Sequence, residues 1–162
     1  MSAVLSLCGR YRYRLERNVG LTGIVIAYFG VNPSTADSET EDATSRKWAG
    51  FARVNGARRY IAGNAFAFRA TDVRRLATAD DPVGSENAAY LQGIIADADI
   101  LVPCWGSRRK LPPPLWPQLD QLAGLLRASG KPIKVLGITA SGDPAHPLVL
   151  GYRTPLTDWL AR

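Results

Sequence analysis

Residues 23–29, Gly-Ile-Val-Ile-Ala-Tyr-Phe, form a run closing on Gly30 that limits this chain to few architectures. Seven successive residues without a charge cannot alternate between core and solvent, so the run predicts a strand buried on both faces. Such a strand needs helices above and below its sheet, and the rest of the chain supplies them in alternation. Residues 43–55 place Trp48, Phe51, Ala52 and Asn55 at helical spacing, with Gly56 as the stop. Residues 60–66 read as a second buried strand. A helix with Ser85 as its expected cap runs to about Ala98, followed by a strand at 99–104, a helix at 115–129 and a strand at 132–138.

Ahead of this series, Arg10-Tyr11-Arg12-Tyr13-Arg14-Leu15 alternates with period two, the pattern of an edge strand with one basic and one apolar face. Asn18-Val19-Gly20 offers a turn through which it would pair with 23–29 as a hairpin. Strands separated by helices imply parallel neighbours. The expected fold is therefore α/β: a three-layer α/β/α sandwich whose mostly parallel, four-stranded central sheet is extended by the N-terminal edge strand. Residues 1–162 are expected to form one domain.

The bulk composition narrows the chemistry. With 46% hydrophobic residues the chain can bury a core without staples. Cys8 and Cys104 form no CxxC pair, so thiolate metal sites and cysteine-bound iron–sulfur clusters are not expected, nor is any metal or organic cofactor. No apolar run approaches the ~20 residues of a membrane helix, and arginines interrupt the N-terminus early. The expectation is a cytoplasmic monomer with no membrane attachment and no obligate protein partner. Twenty basic against fourteen acidic residues give a net charge of +6, which favours a polyanionic partner such as DNA.

In open parallel sheets the working groups gather in loops at the carboxyl ends of strands. Four such ends carry distinctive sequence: Gly30-Val31-Asn32-Pro33-Ser34-Thr35-Ala36-Asp37, then Gly63-Asn64-Ala65-Phe66, Cys104-Trp105-Gly106-Ser107, and His146-Pro147-Leu148-Val149-Leu150. All four are expected to converge on one crevice.

These segments, with Asp42-Ala43-Thr44, Phe66-Ala67-Phe68-Arg69-Ala70-Thr71-Asp72 and Pro82-Val83-Gly84, resemble the family called domain of unknown function 1643, from the Arg10–Tyr13 strand onward. At motif level the chain also resembles the uracil-DNA glycosylase superfamily. There a Gly-x-Asn-Pro or Gly-x-Asp-Pro loop follows the first core strand, an Asn often ends the second, a Leu-Trp-Gly-like turn closes the third, and a His-Pro-x-x-Leu loop supplies an electrophile and a wedge. Gly30-Val31-Asn32-Pro33, Asn64, Trp105-Gly106 and His146-Pro147-Leu148-Val149-Leu150 fall in that order.

That resemblance implies hydrolysis of the N-glycosidic bond of an abnormal or modified pyrimidine in DNA, possible substrates including uracil and hypermodified or glucosylated viral bases. The cleavage passes through an oxocarbenium-like sugar, so the enzyme must stabilise charge and position a water more than it must supply a strong base. Asn32 would hold that water through its amide oxygen, with Asp37 or Asp42 as alternative bases. His146, the sole histidine, would stabilise the departing base anion with a ring N–H. Pro33, Ser34, Asn64, Phe66, Phe68, Arg69 and Trp105 are the expected base-binding residues, with Thr71 and Asp72 as further polar groups. Leu150 would be the wedge, and Arg108, Arg109, Lys110, Tyr152 and Arg153 would meet the DNA backbone.

Each residue also has a structural reading: an Asx-Pro turn for Asn32, a capping role for Asn64, core packing for Phe66, Phe68 and Trp105, a solvated loop for the Arg108–Lys110 triplet, and a tight turn or close backbone approach for Gly106. Cleavage of free modified nucleosides or nucleotides, or nucleic-acid binding without catalysis, are the alternative functions.

Overall fold

The computed structural model describes residues 2–34, 36 and 39–160. Its strands are β1 (Ser2–Leu5), β2 (Arg12–Asn18), β3 (Ile24–Gly30), β4 (Ala57–Asn64), β5 (Ile100–Pro103), β6 (Lys134–Val135) and β7 (Thr157–Asp158), and its α-helices are α1 (Ala43–Val54), α2 (Asn87–Asp97) and α3 (Trp116–Ala128). The first five strands form one sheet in the order β1-β2-β4-β3-β5. β4, β3 and β5 run parallel, while β2 lies antiparallel to β4 and β1 antiparallel to β2. Residues 132–138, expected as a fourth parallel strand, meet β5 only at the parallel bridge Leu101 to Ile133; the segment then pairs with β7 in a separate two-stranded ribbon.

β3 is as buried as its sequence requires, because both of its faces carry helices. Val25, Ala27 and Phe29 point into a core with Leu91, Ile94 and Ile95 of α2 and Leu119, Leu122 and Leu126 of α3. Ile26 and Tyr28 point the other way, into a core with Trp48, Phe51 and Ala52 of α1. α1 begins on a capping box in which Asp42 accepts from the Ser45 backbone N–H and the Ser45 hydroxyl accepts from the Asp42 N–H. Its C-cap Asn55 is followed by Gly56, whose φ of +72° suits the left-handed residue after a helix.

Two expectations about local pairing are corrected. Residues 12–18 do not form a hairpin with the β3 run: β2 takes β4 as its neighbour, so β4 separates β2 from β3. Ser85 does not cap α2, which starts after Glu86 with no side-chain cap bond.

The faces of β2 also differ from simple alternation. Val4 pairs with Arg14 and Leu5 with Arg12, so Tyr13 is the extra residue of a β-bulge. The bulge shifts the alternation by one position, bringing Arg12 into phase with Leu15 and Arg17 on the α1 side of the sheet. Arg12 and Arg17 are both buried, at 3% and 2% exposure.

Candidate active site

The carboxyl ends of β3, β4 and β5 open into a crevice of about 520 Å³, within the size range of ligand pockets. Val31, Asn32 and Ser34 reach it from the loop after β3, Asn64, Ala70 and Thr71 from the end of β4 and its loop, and Trp105, Ser107 and Lys110 from the segment after β5. His146, Leu148 and Val149 come from the 3-10 turn at Pro147–Val149, while Asp42, Thr44 and Trp48 come from the start of α1. The four expected segments thus meet at one place, three from strand ends and the fourth from a 3-10 turn rather than the end of a parallel strand.

The loops after β3 and β4 are laced together by backbone bonds: the N–H groups of Ala65, Phe66 and Ala70 donate to the carbonyls of Gly30, Val31 and Pro33. This lacing orients Asn32. Its Nδ2 donates to the carbonyls of Ala70 at 2.7 Å and Pro33 at 3.1 Å. Oδ1 takes no hydrogen bond from the described residues and is the free end of the amide at the crevice.

Asn64 is 3% exposed, yet its side-chain amide has no hydrogen-bond partner among the described residues. A buried amide is normally paired. Asn64 therefore presents unspent donors and an acceptor to the crevice. Its position depends on Gly30, where a Cβ would stand 2.9 Å from Asn64 Oδ1. Trp48 lines the crevice behind them, stacked on Tyr28 and donating its indole N–H to the buried Cys104 sulfur at 3.4 Å.

His146 Nδ1 accepts the Leu148 backbone N–H at 3.3 Å. An accepting Nδ1 carries no proton, so the neutral ring holds its hydrogen on Nε2. Burial, followed by the Lys110 charge, holds the imidazole below its ordinary pKa, with Asp42 pulling less strongly the other way. The ring is therefore neutral near pH 7 and offers one N–H donor. Gly106 permits the approach of the His146 loop: at φ +77° its N–H donates to the Pro144 carbonyl, and a Cβ there would stand 3.2 Å from that of His146.

Asp42 is the carboxylate lining the crevice among the described residues. Burial would raise its pKa, but hydrogen bonds from Ser34 and Ser45, together with the Arg12 guanidinium, outweigh that and hold it below the usual carboxylate value. It stays ionised throughout the neutral range. Asp37, the other base considered from sequence, lies outside the described residues.

Several expected contacts fall elsewhere. Phe66 is fully buried in the core under α2 and α3 and offers no face to a ligand. Phe68 packs against the same core and meets Tyr11 edge to face. Pro33 is buried beneath the crevice loop. Arg69 reaches back to the carbonyls of Ser34 and Gly9, and Asp72 is tied to Arg74. Leu150 packs against the α1-side core, while its neighbours Leu148 and Val149 are the exposed apolar side chains at the crevice.

Arg108 is committed internally. It donates from Nε to the buried Asp143 at 2.8 Å and from Nη2 to Asp120 at 2.9 Å. Arg109 and Lys110 remain exposed. Tyr152 lies beneath Lys47, 4.6 Å from ring centre to ammonium, and packs on Phe51 and over Gly50, where any Cβ would strike its ring at 2.3 Å. Arg153 is exposed.

Arg12 was not legible as a site residue. It lines the crevice from β2, with Nη1 donating to the Ala36 carbonyl and Nε buried without a partner among the described residues. Burial pulls its pKa down to about 10, against the opposing charge of Asp42.

A profile of the DUF1643 family, described as a protein of unknown function, matches residues 12–148 of the 162. The chain belongs to the DUF1643 family. No curated protein and no solved structure matches it. The DUF1643 match spans the crevice residues from Arg12 to Leu148, and Val149 lies one position past it. Among the described residues no helix is long and apolar enough to cross a membrane, and no three side chains of the metal-binding types come together.

Proposed function

We propose that this protein is a monofunctional DNA glycosylase that hydrolyses the N-glycosidic bond of an abnormal or modified pyrimidine, on a uracil-DNA glycosylase-like scaffold. The observation carrying this reading is the meeting of three amide or imidazole groups, each with one end fixed or buried and another end unspent, in a single crevice: Asn64, Asn32 Oδ1 and His146 Nε2–H.

Asn64 would read the base, because an amide with free donor and acceptor matches one edge of a pyrimidine. The His146 Nε2–H would donate to the base carbonyl on which negative charge grows as the bond breaks, stabilising the transition state more than the bound substrate. Asn32 Oδ1 would hold the attacking water. Ionised Asp42 adds negative charge that favours a cationic sugar, which neutral Asn32 does not provide. The cavity is roomy for a bare pyrimidine, which supports a base carrying a bulky substituent.

The test is to incubate the protein with oligonucleotides containing uracil, hydroxymethylcytosine or a glucosylated cytosine, then cleave abasic sites with alkali. Strand breaks at the modified position support the reading; intact strands with every base contradict it. A second reading, cleavage of free modified nucleotides, gains support from Arg108, whose engagement with Asp143 and Asp120 removes one expected phosphate contact. Release of base from monomers but not from DNA would favour it.

A further inference from the structure

Arg12 is the group that the glycosylase chemistry leaves unused. Arg12 is buried, at 3% exposure, and lines the crevice. Nη1 is fixed by the Ala36 carbonyl and Nε has no partner among the described residues. No described carboxylate stands in ion-pair contact with it, and Asp42, the acidic group that acts on it among the described residues, is already held by Ser34 and Ser45.

A buried charge without a hydrogen-bonded counter-charge is costly, so such groups persist where something else supplies the counter-charge. Among the described residues, the titratable groups facing this crevice are Arg12, Lys110, Asp42 and neutral His146, a balance that is net positive. A guanidinium presents several donors in a planar fork matched to phosphate oxygens.

We propose that Arg12 is a phosphate-recognition residue, binding a phosphate of the nucleotide whose base occupies the crevice. The inference rests on the crevice being the functional site but requires no bond cleavage. The phosphate is either the monoester of a free nucleotide or the diester beside a nucleotide in a strand. The β-bulge at Tyr13 is what turns Arg12 toward the crevice.

The test uses probes that need no knowledge of the base. Calorimetric titration of the wild-type protein compares deoxyribose 5-phosphate with deoxyribose, and compares an oligonucleotide bearing a central abasic analogue with the same strand carrying one neutral methylphosphonate linkage beside it. The expected result is at least about tenfold tighter binding of the phosphate-bearing member of one pair, as for a charge-assisted bond. Arg12→Gln abolishes that difference and Arg12→Lys retains part of it. Should Arg12→Gln fail to fold, arginine side-chain NMR of the wild type replaces it, with Arg12 shifting on addition of the phosphate probe and not of its neutral counterpart.

A difference in the first pair identifies a monoester and in the second a diester; either supports the proposal. Equal binding within both pairs, or a difference that survives in Arg12→Gln, overturns it. An Arg12-dependent phosphate difference without base release would defeat the glycosylase reading alone, and base release without that difference would defeat this inference alone.

Discussion

Replacing Arg108 by alanine removes a cation from the buried Asp143 while leaving the exposed Arg109 in place. Asp143 is 2% exposed and accepts from Ser141 Oγ at 2.6 Å, from the Arg108 backbone N–H at 2.9 Å and from Arg108 Nε at 2.8 Å. Losing one partner of a buried pair costs about 3–5 kcal/mol. Two donors survive the truncation and the Arg108 side chain is 26% exposed, which reduces the expected cost to about 2 kcal/mol. At roughly 2–4 °C per kcal/mol for a domain of this size, Tm should fall by about 4–8 °C.

The pH dependence carries a sign of its own. Burial would raise the Asp143 pKa, but its hydrogen bonds with Ser141 and Arg108 outweigh that and hold it below the ordinary value. Its stabilisation is therefore present above the unfolded pKa of ~3.9 and is lost as pH falls through the lower folded value. Without Arg108 the folded pKa rises, so acid unfolding begins at a higher pH. Circular-dichroism melts at pH 7 and across the acid range, with DNA affinity measured against salt, form the assay. Arg108→Ala should lower Tm and leave the salt slope unchanged; Arg109→Ala should leave Tm alone and, if it meets a phosphate, reduce the slope by ~0.7–0.9. An unchanged melt together with a reduced slope for Arg108→Ala would refute the assignment of Arg108 to the internal ion pair.

Further outcomes follow from the crevice. Asn64→Ala removes no described hydrogen bond, so its melt should stay within a few degrees of wild type while the rate of base release falls about tenfold to a thousandfold; a large loss of stability would return Asn64 to a structural role. The single histidine gives one imidazole NMR titration, which should show an apparent pKa below ~6.5 that rises in Lys110→Gln; an unmoved value would remove Lys110 as a cause. Gly106→Ala forces a side chain at φ +77° against His146 and should cost about 1–2 kcal/mol with a displaced imidazole signal. Leu150→Ala should lower stability without altering any preference between strands, whereas Val149→Ala should weaken duplex substrates more than single strands; the reverse pattern would make Leu150 the wedge.

The parts of the fold that were legible in the sequence are those decided by local pattern. The β3 run has no charged position, so it had to be covered on both faces, and α1 announces itself through Trp48, Phe51 and Gly56. Strand partners were not legible: alternation in residues 10–15 assigns faces but not neighbours, and β2 chose β4 across the sheet rather than β3 across the nearest turn. The bulge at Tyr13 has no marker, since neither glycine nor proline stands there, so Arg12 read as part of a solvated basic face. Site legibility divides similarly. Asn32, Asn64 and Trp105 reach the crevice because strand ends do so by topology, whereas His146 reaches it from a 3-10 turn whose approach is held by the Gly106 N–H on the Pro144 carbonyl. Phe66, one residue past Ala65, points into the core, and Leu150 sits past the end of the 3-10 turn that exposes Leu148 and Val149. Arg108 looked like a free cation because Asp143, its partner, is 35 residues away.

The central claim is that His146 and Asn32 carry chemistry rather than affinity. It is tested most directly by single-turnover base release from a cleavable modified oligonucleotide, with binding of the same strand measured in parallel for wild type, His146→Ala and Asn32→Ala. The account predicts a rate lowered about tenfold to a thousandfold in each variant, with binding changed little, because both groups act on charge and water in the transition state. An undiminished rate in His146→Ala, or a loss of rate matched by an equal loss of binding, would contradict it.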